Sequence, residues 1–268
     1  MIAAPTCELI DIGLNLTHES FAHDLPEVLR RAHLAGVSRM ILTGTSVSAT
    51  RGAIALARTD PHRMYATAGL HPHHASEFTA SVQEELRELA ADPAVVAIGE
   101  CGLDYYRNYS PREAQITAFR GLLELAVETG KPVFLHQRDA HADFISILRE
   151  FRGSIADGVA HCFTGTRQEL DDCLALDLAV GITGWICDER RGLHLPAMMS
   201  SIPAGRLMIE TDAPYLLPRT LKPRPSTRRN EPAFLPEVAA AVAKARGESL
   251  EQLAATSTSA AVRFFRLG

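Results

Sequence analysis

Apolar, β-rich runs and helical patterns alternate along this chain eight times, and few folds accommodate that order. The runs occupy residues 8–15, 39–45, 65–72, 95–104, 132–138, 158–163, 178–186 and 207–214. Apolar residues at helical spacing follow over 25–35, 48–58, 82–91, 112–129, 142–151, 167–176 and 189–199, and two more helices, 235–246 and 250–265, close the chain. Strict alternation of this kind predicts an α/β protein of the (β/α)8 TIM-barrel type, built as one domain over 1–268. No Gly-rich fingerprint opens the first unit, which argues against an open dinucleotide-binding sheet. No linker, low-complexity tract or sequence repeat divides the chain.

Composition matters here for what it excludes. The 27 Lys and Arg against 32 Asp and Glu give a net charge of −5, so no global basic field advertises a polyanionic partner, and any such partner needs a local patch. Residues 1–6 carry no basic leader, no run reaches the length of a membrane span, and the expected location is cytoplasmic. The five cysteines, Cys7, Cys101, Cys162, Cys173 and Cys187, are scattered and form no C-x-x-C pair, as expected of reduced structural thiols.

In such a barrel the chemistry sits where the strands stop. The run 95–104 is the most telling, because Val95, Val96, Ala97 and Ile98 give way to Glu100 between Gly99 and Gly102. Glycines there let backbone or ligand approach closely, and a carboxylate at the exit of a buried strand needs a cation, a donor or a metal. Other runs end at Asn15, His71, His136, His161 and Asp212. Imidazole and carboxylate together are the usual donors to a divalent cation in a hydrolase. Singly, each has an ordinary explanation: His161 as a hydrogen-bonded core residue, Glu100 as the ion-pair partner of Arg138. The recurrence of such groups at one position of successive runs is what favours a shared centre. His73 and His74 lie on the loop at the same mouth, while Phe264 and Phe265 read as core at helical spacing.

The segment 219–229 contains Arg219, Lys222, Arg224, Arg228 and Arg229 and no acid. A solvated loop is the plain reading. A loop after the eighth strand also borders the barrel mouth, where guanidinium groups can hold phosphates. Arg107, Arg138, Arg190 and Arg191 follow other strand ends, and Tyr105, Tyr106 and Trp185 are placed to stack on bases.

Five stretches carry a resemblance: Gly69-Leu-His71-Pro-His73, Ile98-Gly-Glu100-Cys-Gly-Leu-Asp104, Pro132-Val-Phe-Leu-His136, His161-Cys-Phe-Thr-Gly165 and Ile209-Glu-Thr-Asp212-Ala-Pro-Tyr215. Together they resemble the motif set of the TatD family of metal-dependent deoxyribonucleases over nearly the whole chain. The segments 184–192 and 228–232 narrow the resemblance to the subgroup for which the family is named. The resemblance implies a metal-dependent hydrolase barrel acting as a 3′-to-5′ exonuclease on single-stranded DNA and RNA, with a part in repair of oxidative DNA damage. It implies Glu100, His136 and His161 as metal ligands, Asp212 as a further ligand or the base, and His71 as a substrate contact. Asn15, Arg138, Arg190, Arg191, Arg228 and Arg229 are the expected remaining substrate contacts. A monomer with no obligate protein partner is expected.

The wider family opens with Asp-x-His-x-His, whereas here Gly13 and Asn15 stand where the histidines would be. With fewer nitrogen donors, Mg2+ or Mn2+ is expected ahead of Zn2+. An Asn usual near Ser259 is also absent. Two other readings stay open: a barrel hydrolase of a small ester, amide or lactone, which has no use for a basic rim, and a nucleic-acid-binding protein without turnover, whose binding a chelator leaves unchanged.

Overall fold

The computed structural model describes residues 8–268, so the readings made on residues 1–6 and on Cys7 lie outside the described residues. Eight strands are hydrogen-bonded in chain order: β1 (Leu9–Leu14), β2 (Val37–Leu42), β3 (Met64–Ala68), β4 (Val95–Asp104), β5 (Val133–Arg138), β6 (Gly158–Ala160), β7 (Ala179–Ile182) and β8 (Leu207–Ile209). The helices are α1 (Leu25–Leu34), α2 (Val47–Ala57), α3 (Ala80–Ala90), α4 (Arg112–Thr129), α5 (His141–Phe151), α6 (Arg167–Ala175), α7 (Leu235–Arg246) and α8 (Leu250–Phe265). Strands joined in sequence order, through α-helices as far as β7 and through short 3-10 segments from β7 to β8, form the (β/α)8 arrangement expected from the alternation.

The expected helix over 189–199 does not form. Asp188 Oδ1 accepts the backbone N–H groups of Arg190 at 2.9 Å and Arg191 at 3.2 Å as an N-cap does, and Gly192 N bonds Asp188 O at 2.9 Å, but the chain stops after that one turn. At Gly192 the backbone passes so close to Trp185 that an added Cβ would lie 1.8 Å from the Trp185 carbonyl oxygen. Pro196 then lacks an N–H, and only a short 3-10 segment, Pro196–Ser201, follows. The later strands are also shorter than their apolar runs. β6 stops before Cys162 at φ +46° and β8 before Asp212 at φ +53°, both in the left-handed region that strand pairing does not tolerate.

Packing divides the chain into two compact units. Of the described residues, the first contains 8–41, 162–166 and 180–268, and the second 42–161 and 167–179. In the first, α8 packs on β1 and β8, and the helix is started by a reciprocal capping box between Ser249 and Gln252. Phe264 and Phe265 are buried there, as their spacing predicts. In the second, Phe119 of α4 and Phe144 of α5 stack at 5.7 Å between ring centroids, and Ser46 and Thr79 cap α2 and α3. None of the four described cysteines forms a disulfide. Among the described residues no helix is long and apolar enough to cross a membrane.

Candidate metal centre

The centre is organised by an irregularity in β4. Its register against β5 runs Ile98 to Val133 and then Cys101 to Leu135, so β4 accommodates one extra residue around Gly99 and Glu100. A bulge of this kind bends a strand and re-aims a side chain. Gly99 and Gly102 have φ +139° and +144°, where L side chains are strained, and a Cβ on Gly102 would lie 1.9 Å from the His136 carbonyl oxygen. A Cβ on Gly69 would meet Glu100 N at 2.4 Å. The close approach expected at the glycines of β4 is thus made by neighbouring backbone.

Three imidazoles converge on a single oxygen. Glu100 Oε1 lies 2.9 Å from His136 Nδ1, 2.9 Å from His161 Nε2 and 3.3 Å from His71 Nε2. Glu100 itself is 5% exposed. The candidate pairing of Glu100 with Arg138 is not formed; the Arg138 guanidinium instead lies over Tyr106, 4.1 Å from the ring centroid.

Burial presses the Glu100 carboxyl toward its neutral form, but His161, His71 and the bonds from His136 and His161 outweigh it and hold the group well below the usual carboxylate range. Burial drives His71 down to about 4, only partly opposed by Glu100, so this ring is neutral at neutral pH. His136 is also pressed down by burial, yet its contacts with Asp104 and Glu100 raise it.

A second carboxylate stands behind the first. Period-two alternation puts Glu100, Gly102 and Asp104 on one face of β4. Asp104 Oδ2 is 2.9 Å from His73 Nε2 and 3.5 Å from His136 Nε2, and Asp104 Oδ1 accepts the Arg107 N–H at 2.8 Å. Gln115 brackets the Asp104 backbone, accepting its N–H at 2.8 Å and donating to its carbonyl at 3.1 Å. Tyr109 meets the His73 ring edge-on at 4.7 Å. Sequence reasoning named His73 only as a loop residue and passed over Asp104, although strand alternation from Glu100 was the signal that marks it.

This donor set fits a divalent cation. Ligand atoms of His71, Glu100 and His136 lie within 4.8 Å of one another. The buried His136 Nε2 makes no hydrogen bond, and Asp104 beside it is the kind of outer carboxylate that orients a ligating imidazole. His161 joins through the same Glu100 oxygen.

Asp212 and Asn15 meet each other in the first unit, Asn15 Nδ2 donating to Asp212 Oδ1 at 3.2 Å. The turn that carries Asp212 is tied down on several sides. Asp212 N donates to Gly13 O at 2.9 Å, and Asp11 accepts from Thr211 N at 2.9 Å and pairs with Thr211 Oγ1 at 2.5 Å. Asn230 Nδ2 donates to Thr211 O at 2.9 Å, and Glu210 Oε1 accepts Cys162 N at 2.5 Å.

The basic residues divide sharply. Arg229 is already engaged by Asp24 at 2.7 Å and Glu231 at 2.7 Å, with its guanidinium over Phe21. Arg191 pairs with Asp188 at 3.0 Å and lies 4.4 Å from the Trp185 ring centroid, and Arg190 Nε is 3.6 Å from Asp188. Arg228 is exposed.

With this geometry in hand, the comparisons with known proteins are specific. The family model described as TatD related DNase matches residues 10–266. A protein of Pantoea vagans named 3′-5′ ssDNA/RNA exonuclease TatD is 53% identical over 259 residues, covering 97% of this chain and 100% of that protein. A solved TatD homologue from Escherichia coli K12 superposes with a TM-score of 0.89 at 26% identity, over 98% of this chain and 99% of its own. A TatD family hydrolase from Entamoeba histolytica gives 0.87 at 29% identity, over 96% and 98%. A family match over residues 10–266, with relatives alike over nearly the whole chain, leaves one assignment: the chain belongs to the TatD family of related DNases.

Proposed function

We propose that this chain is a divalent-metal-dependent 3′-to-5′ exonuclease that hydrolyses phosphodiester bonds of single-stranded DNA and RNA. The observation that carries the reading is the convergence of His71, His136 and His161 on Glu100 Oε1 within 3.3 Å, inside a chain that shares 53% of its residues with a protein named for that activity. Glu100, His136 and His161 would hold the cation, with Asp212 as a further ligand or the base. Bound there, the cation would polarise a phosphoryl oxygen and lower the pKa of a water. Mg2+ or Mn2+ is the proposed ion, the positions of Gly13 and Asn15 supplying no imidazole.

The chain's own groups divide the remaining work. Glu100 stays ionised because imidazoles surround it, and Asp104, 3.5 Å from His136 Nε2, would draw that ring into its ligating orientation. His71, neutral at working pH, offers the phosphate a hydrogen bond from its one ring N–H and carries no acid proton for the departing oxygen. Asp212, in the Glu-Thr-Asp-Ala-Pro turn, takes the proton of the attacking water, with Asn15 fixing its carboxylate. Arg138 over Tyr106, with Arg190, Arg191 and Arg228, would grip the strand.

End-labelled single-stranded DNA incubated with Mg2+, Mn2+, Zn2+ or EDTA tests the reading. Mononucleotides should leave the 3′ end with Mg2+ or Mn2+, none should appear in EDTA, and Glu100→Ala or His161→Ala should abolish release. Undiminished release by either variant, or digestion from the 5′ end, overturns it.

A further inference from the structure

A cavity of 540 Å3 in the first unit gathers five guanidinium groups, Arg190, Arg191, Arg219, Arg224 and Arg228, around a wall in which Asp188 is the sole acid. Part of this charge is matched internally. Arg191 pairs with Asp188 at 3.0 Å, and Arg219 grips Glu189 through Nε and Nη2 at 2.6–3.1 Å. Asp188 has little left for Arg190, because its Oδ1 already accepts two backbone N–H groups. Arg224 and Arg228 are exposed and make no ion pair or hydrogen bond among the described residues.

These two arginines flank Pro225, Ser226 and Thr227, all of which line the same cavity. Pro225 restrains the backbone, and the hydroxyls of Ser226 and Thr227 add neutral donors between two forks suited to phosphate. Leu216, Leu217 and Pro218 form an apolar side. Like charges lining one cavity repel unless an anion enters, and the volume suits a small organic ligand better than a bare ion.

We propose that this cavity is a nucleotide-binding subsite that needs no metal. It takes a nucleotide phosphate on Arg224 and Arg228, with the sugar and base against Leu216, Leu217 and Pro218. The choice of a nucleotide among organic phosphates rests on the exonuclease reading; the binding itself does not depend on turnover. The occupant is either a nucleotide within a bound strand or a released nucleoside monophosphate, and the two sources share the same chemistry.

Trp185, the chain's single tryptophan, reports on the site, because Arg191 of the cavity wall lies 4.4 Å from its ring centroid. The full chain in EDTA is titrated with dTMP, with thymidine and with a labelled oligothymidylate, following Trp185 emission and, for the oligomer, anisotropy. At least one phosphate-bearing ligand should saturate and thymidine should not. Arg224→Ala/Arg228→Ala should weaken that binding by about tenfold or more, and the salt slope for the oligomer should fall by about 1.4. Saturation by dTMP supports the subsite with free product as an occupant, and saturation by the oligomer alone supports it with the strand as the source. Failure of both phosphate ligands to saturate, equal binding of thymidine, or a double variant that titrates like the unaltered chain overturns the proposal. Absence of metal-dependent nucleotide release would instead sink the exonuclease reading while leaving this titration intact.

Discussion

Asp104 Oδ2 sits 2.9 Å from His73 Nε2, and the same oxygen faces His136 Nε2 at 3.5 Å. One carboxylate therefore orients the ring of a proposed ligand and anchors the loop that carries His71. Asp104→Asn keeps the shape but loses the charge that holds both rings. Metal affinity measured calorimetrically should drop by about 10–100-fold, with the fold intact by circular dichroism. Unchanged affinity would remove Asp104 from the centre.

The glycines around Glu100 predict a stability cost that depends on position. Gly102→Ala forces a Cβ to 1.9 Å from the His136 carbonyl at φ +144°, and Gly69→Ala forces one to 2.4 Å from Glu100 N. Each should cost about 2 kcal/mol or more in urea unfolding and lower metal-dependent activity. Gly153→Ala, with nothing within 4 Å of the added carbon, should be close to neutral.

Asp11 gives a pH dependence with a definite sign. Its carboxyl is fully buried, and burial, opposed only in part by its bonds to Thr211, pushes it up to about 8 from 3.8. The folded chain therefore holds a proton that the unfolded chain releases, and stability should fall as pH rises from 3.8 toward about 8, then level off. Asp11→Asn imitates the neutral carboxyl, with an amide N–H facing Thr211 Oγ1. Its urea midpoint should exceed that of the unaltered chain at pH 8.5, and the advantage should shrink at pH 5.

Neighbouring arginines should behave differently. Arg229→Ala strips Asp24 and Glu231 of their partner and should destabilise the chain by about 1–2 kcal/mol, whereas Arg228→Ala should leave unfolding unchanged. The bond from Arg229 holds Asp24 at about 2, below its usual 3.8. That contribution is fully present above pH 3.8 and is lost as pH falls through about 2, so the Arg229→Ala deficit should narrow in acid.

Much of the centre could be read from the linear chain. Glu100, His136 and His161 each stand where a buried run ends, and run ends are set by local burial, which leaves a periodic trace in the residues themselves. The helices over 112–129, 235–246 and 250–265 were legible to the residue for the same reason. The helix expected over 189–199 was not, because Gly192 lies with its backbone against the Trp185 carbonyl and Pro196 has no N–H to carry a helix past it. Strand alternation places Asp104 on the face of Glu100, but its partner His73, 31 positions earlier, leaves no mark beside it in the chain.

By itself, then, the amino-acid order determined the alternation of strands and helices, the buried run that ends at Glu100, and the glycines at which β4 admits its neighbours. These follow from burial periodicity and backbone sterics, which act over a few residues. Tertiary structure alone decided the extra residue in β4 that aims Glu100 at three imidazoles, and which arginines are spent on folding. Arg229 finds Asp24 across 205 residues of sequence while Arg228, one position earlier, faces the cavity. A charge's partner is chosen by distance in space, and spacing along the chain carries no record of it.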